Sequence, residues 1–126
     1  MYRQHKDNVE FLMVYIKEAH AADGWVSQAN VRQGINIKHH TDYADRADVA
    51  KTACSLLKIE FPAIVDGMND AVNKAYAAAP DRIYVVDKNG KVAVKADKGP
   101  RGFNPGVAAT RKWLEQYALS LKTKAE

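Results

Sequence analysis

Alternating strand-type and helix-type segments predict an α/β protein, a mixed sheet flanked by helices, and three stretches carry that prediction. Residues 9–16 form an apolar run rich in β-branched and aromatic side chains, as a buried strand requires. Tyr43, Ala47, Ala50, Cys54 and Leu57 recur at helical spacing. Asn89-Gly90 between two short apolar runs is a strong local signal for a hairpin.

Taken in order, residues 1–8 are polar and read as the last turns of a helix that runs into the strand at 9–16. Residues 23–39, with Gly24, Asn30 and Gly34, form a loop long enough to serve as a lid, with a short strand expected at 35–37. Thr41 or Asp42 caps the following helix, which should lay one face on the sheet. Residues 61–65 read as a buried strand that tolerates Pro62 near its start. Asn69 or Asp70 opens a short helix through Ala77, and Pro80 blocks its continuation. Residues 83–86 and 91–95 make the hairpin around the turn at 87–90. In the last helix Asn104 is the expected cap and Pro105 the first helical residue. Val107, Leu114, Ala118 and Leu121 form its apolar stripe, with Lys122 and Lys124 near the negative end of its dipole.

The 126 residues suffice for one domain, 1–126, with a single core. The net charge of +4 is dispersed, lysines stand singly and no basic run alternates with aromatic residues, so nucleic acid is not an expected partner. No segment has the length and apolarity of a membrane helix. Cys54 is the one cysteine, which excludes an intrachain disulfide and a Cys-x-x-Cys pair and favours a reducing, cytoplasmic setting. His5, His20, His39 and His40 show no ligand spacing, so no metal is expected.

Chemistry is expected first at Glu18 and His20. Both follow the end of the first strand and, two apart, point to one side, where open α/β sheets keep their sites. A carboxylate beside an imidazole fixes its tautomer and raises its basicity, making a proton relay near neutral pH. The plain alternative is a pair of solvated residues at a strand end. Asp23, Gly24 and Trp25 read as a turn with a packed anchor, Trp25 stacking on a substrate ring being the less ordinary alternative.

The segment Val14-Tyr-Ile-Lys-Glu-Ala-His-Ala-Ala-Asp-Gly-Trp25 resembles the one that follows the active-site helix in the iodothyronine deiodinases. These are selenoenzymes of thioredoxin-like, peroxiredoxin-related fold that remove iodine from thyroid hormones. The resemblance continues through His40-Thr-Asp-Tyr-Ala-Asp-Arg46, Val65-Asp-Gly-Met68, Ala75-Tyr-Ala-Ala-Ala-Pro-Asp-Arg-Ile-Tyr-Val-Val-Asp87 and Gly99-Pro-Arg-Gly-Phe-Asn-Pro105. It implies that Glu18 and His20 are the family's proton-relay pair, and that His40 hydrogen-bonds the phenolic end of an iodothyronine-like or other small aromatic substrate. Capping or solvation beside His39 is the alternative for His40. Lys98 falls where family members carry an arginine that holds the substrate's carboxylate; lysine keeps the charge but loses the planar fork. Arg101 either compensates or is an ordinary loop arginine.

The resemblance also implies a selenocysteine, in a Thr-selenocysteine-Pro-like turn ahead of this region, and a thiol co-substrate. Neither that residue nor a replacement is in the sequence, and this chain holds no cofactor of its own; Cys54, on an apolar helix stripe, reads as a packed thiol. The expectation is therefore a chain lacking the active-site strand and helix, with Met1 an internal methionine downstream of an in-frame TGA. The strands at 9–16 and 83–86 would both lose their central neighbour, and such edges favour a homo-oligomer. Two other readings stay open: a peroxiredoxin or thiol-disulfide oxidoreductase relative, and a non-catalytic interaction module.

Overall fold

A computed structural model describes every residue except His20, Trp25 and Glu126. The elements follow in the order α1 (Tyr2–His5), β1 (Met13–Tyr15), α2 (Gln28–Arg32), α3 (Tyr43–Leu56), β2 (Ala63–Val65), α4 (Ala71–Tyr76), β3 (Tyr84–Val86), β4 (Val92–Lys95) and α5 (Phe103–Lys124). This is mixed α/β. The chain forms two compact units, one of Leu12–Ala79 and one of Met1–Phe11 with Pro80–Glu126.

In the Leu12–Ala79 unit, β1 pairs with β2 in parallel, Met13 opposite Ala63 and Tyr15 opposite Val65. The ladder is shorter than the apolar run at 9–16. It opens where Met13 N donates to Pro62 O and closes where Asp66 N donates to Tyr15 O, so the imino acid and the turn after Val65 set its length rather than the composition of β1. β2 corrects the sequence reading of a buried strand: Ala63 and Ile64 are exposed. A parallel strand is buried when both faces of its sheet are covered. Here α3 packs against β2 in a sheet of two strands.

Asp42 caps α3 through its carboxylate, which accepts from Asp45 N at 2.8 Å. The inner face of that helix is Arg46 and Ala50, with Ala47, Ala53 and Cys54 half-buried. Tyr43 and Leu57, expected on the stripe, are exposed, and the charged Arg46 takes the central position instead. The segment at 23–39 contains the short α2 rather than a strand at 35–37. Asp70 precedes α4 with a left-handed φ of 55° and makes no side-chain cap. Asn69, the other expected cap, accepts from Ala71 N at 3.2 Å through Oδ1, and Asp66 serves the next two positions from the end of β2, its two carboxylate oxygens accepting from Val72 N at 3.0 Å and Asn73 N at 2.9 Å.

In the other unit, β3 and β4 form the antiparallel hairpin, with a register shift between Val85 and Val86. Asp87 Oδ1 accepts from Asn89 N and Lys91 N, and Gly90 takes the positive φ of 77° that closes the turn. α5 begins at Phe103, two residues earlier than Pro105, with Gly102 as its cap. Pro105 is still in the first turn, where its missing N–H costs nothing. Gly106, Thr110 and Leu114 are the buried residues of α5, and Leu114 is 1% exposed. A side chain on Gly106 would place its Cβ 2.6 Å from Ala96 Cβ, so glycine there lets α5 lie close on the strand it packs against. Tyr2 meets Phe11 edge-on at 5.4 Å.

Among the described residues, no helix is long and apolar enough to cross a membrane.

Candidate functional site

The C-terminal end of β1 organises the site. Tyr15, the last residue of the strand, points its hydroxyl at the carboxylate that follows, and Tyr15 Oη donates to Glu18 Oε2 at 3.2 Å. The same ring meets His40 edge-on, centroids 5.9 Å apart and planes at 67°. Tyr15 therefore stands between Glu18 and His40, three residues before one and in ring contact with the other.

Burial raises the Tyr15 hydroxyl well above the ordinary phenol range, and the charge of Glu18 and the hydrogen bond to it push the same way. The Tyr15 hydroxyl is thus a proton donor at any neutral pH. His40 is held below the ordinary histidine value, chiefly by burial and then by the Arg46 charge, against the opposing pull of Asp45 and Glu18. At neutral pH it is a neutral imidazole with one donor and one acceptor. Both its ring nitrogens are buried, and neither has a hydrogen-bond partner among the described residues. A buried imidazole left in that state is costly unless something else completes it.

Arg46 stands behind this cluster. Its side chain is 4% exposed, and Nη1 donates to Gly67 O at 2.8 Å and to Asp66 O at 3.3 Å and pairs with Asp70 Oδ1 at 3.1 Å. Asp66, 2% exposed, is pushed up by burial but held net below the usual carboxylate range by the N–H groups of Asn73, Val72 and Gly67 and by Arg46. α3, which carries Arg46, is thereby bolted to the end of β2.

Of the residues singled out from the sequence, Glu18 and His40 lie in this cluster, and His20 lies outside the described residues, as does Trp25. Lys98 and Arg101 belong to the other unit, on the exposed loop that leads into α5, where Gly102 N donates to Lys98 O at 3.0 Å. Cys54 is half-buried on α3. Among the described residues no group of His, Cys, Asp and Glu could hold a metal. Sequence reasoning missed Tyr15 and Arg46. Tyr15 carries no signal beyond the aromatic composition of a strand, and a lone arginine on a helix is ordinarily a surface residue, so neither stands out from the sequence.

The family model described as iodothyronine deiodinase matches residues 1–118. The thyroxine 5-deiodinase of Sparus aurata is 38% identical over 121 residues, 94% of this chain and 42% of the relative. That of Gallus gallus is 35% identical over 117 residues, 93% of this chain and 43% of the relative. The type I iodothyronine deiodinase of Xenopus laevis is 36% identical over 96 residues, 76% of this chain and 36% of the relative. The chain thus spans about two fifths of the length of the relatives it matches.

Proposed function

Because the chain belongs to the iodothyronine deiodinase family, we propose that it is the phenol-binding and proton-handling portion of a thioredoxin-like oxidoreductase that removes iodine from an iodothyronine or a related aromatic. Residues 1–126 are then part of one such domain. Its iodine-accepting selenocysteine or cysteine is not among these residues, and the thiol co-substrate serves that absent group. The observation that carries the reading is Tyr15 hydrogen-bonded to Glu18 and packed on a His40 whose buried nitrogens have no partner among the described residues.

In this reading a phenolic hydroxyl completes His40, taking the imidazole N–H or giving its own proton to the bare nitrogen. Glu18 backs His20 as the relay that brings a proton to the ring carbon from which iodine leaves.

The test uses 2,6-diiodophenol as probe. Adding it should shift the ring resonances of His40 and Tyr15, and His40→Ala should weaken binding by about tenfold or more. Binding that leaves His40 unmoved, or that survives His40→Ala, would remove the assignment.

Self-association belongs to the same proposal. β1 and β2 form a sheet of two strands with Leu12 and Ile64 exposed, and edges of that kind recruit further strands. Light scattering should give a dimer or larger species, whereas a monodisperse monomer would refute it.

A further inference from the structure

The chain leaves the interior of the Leu12–Ala79 unit at Ala21, which is 1% exposed, and comes back at His40. Between them runs the excursion that carries α2. Its two ends are stitched together. Ala22 N donates to Ile37 O at 2.6 Å, His39 N donates to Asp23 Oδ1 at 2.8 Å, and the His39 ring Nδ1 lies 2.9 Å from that same oxygen. A Cβ on Gly24 would sit 2.7 Å from His39 Cε1, so the ring packs over Gly24 and would have to shift to admit a side chain there. One carboxylate oxygen thus takes both the main-chain and the ring donor of the residue immediately before His40.

His40 makes no hydrogen bond of its own among the described residues. Its ring is therefore held by packing and by the backbone that enters it, and that backbone is fixed at His39. The geometry points to Asp23 as a positioning residue that, through His39, sets where the His40 ring stands against Tyr15. Its functional consequence rests on the reading of His40 as the phenol-binding group. Asp23 is ionised for the purpose: the His39 N–H holds its carboxyl below the usual range, outweighing the small desolvation that raises it. Both partners are largely exposed, at 61% and 44%, and an exposed pair of this kind contributes little to global stability. Its loss should move His40 without unfolding the unit.

Asp23→Ala removes the acceptor, and Asp23→Asn keeps an oxygen in its place. The measurements are the Tyr15–His40 ring contact by nuclear Overhauser effect, the affinity for 2,6-diiodophenol and the urea midpoint. In Asp23→Ala the ring contact should vanish and the affinity fall by about fivefold, with the midpoint unchanged; Asp23→Asn should restore both. The inference is overturned if Asp23→Ala keeps the ring contact, if Asp23→Asn is as impaired as Asp23→Ala, or if the contact disappears only together with a lowered midpoint. Should the unaltered chain fail to bind the phenol, the reading of His40 falls, while the ring contact still decides the role of Asp23.

Discussion

Replacing Arg46 by methionine should lower the stability of the Leu12–Ala79 unit by about 3–5 kcal/mol, the usual cost of removing one partner from a buried, hydrogen-bonded charge pair. Methionine fills much of the volume, but Asp66 O, Gly67 O and Asp70 Oδ1 lose the donor that ties α3 to the end of β2. Lysine should rescue part of the loss, since all three contacts are made by the one nitrogen Nη1 and an ammonium offers three donors on a single nitrogen. Urea unfolding at neutral pH measures the effect, and an unchanged midpoint would contradict it.

Acid should attack the same joint. Asp66 has a lowered carboxyl pKa in the folded chain, so the unfolded state binds its proton first as the pH falls. Its stabilising contribution is fully present above the ordinary carboxylate value of about 3.9 and is lost as the pH drops through the lower folded value. Asp66→Asn should flatten that part of the acid dependence, at the expense of a weaker start to α4, because only one oxygen then remains for Val72 N and Asn73 N.

The sequence carried the order of elements well where local chemistry is strong. The Asp87 turn, the Asp42 cap and the α5 stripe around Leu114 are written in neighbouring residues and formed as read. Strand extents were not legible, because the ladder between β1 and β2 ends where Pro62 and the Asp66 turn end it, and those lie some fifty residues away in sequence from β1. The buried polar framework was equally hidden. Nothing in the spacing of Arg46, Asp66 and Asp70 announces that they meet, since pairing across separate elements has no period. The motifs around Glu18 and His40 name two residues that the structure brings to one tyrosine, whereas Tyr15, which touches both, is concealed by its ordinary role as a strand former. The start of α4 is legible only in part for a related reason: Asn69 accepts from Ala71 N as its position suggests, but Val72 N and Asn73 N are served by Asp66, on another element.

The proposed reading gives this chain the proton-handling and phenol-binding side of a deiodinase site without the group that takes the iodine. In that reading Glu18, His40 and Tyr15 hold or move protons, whereas taking iodine from an aromatic ring needs a soft, deprotonated nucleophile. Cys54 is badly placed for that role. It is half-buried on the helix face near the C-terminal end of α3, with access to a substrate restricted. The most direct measurement is iodide release from thyroxine by the purified chain in the presence of a dithiol. No release above the buffer control is expected, whereas thiol-dependent release that disappears in Cys54→Ser would overturn this reading.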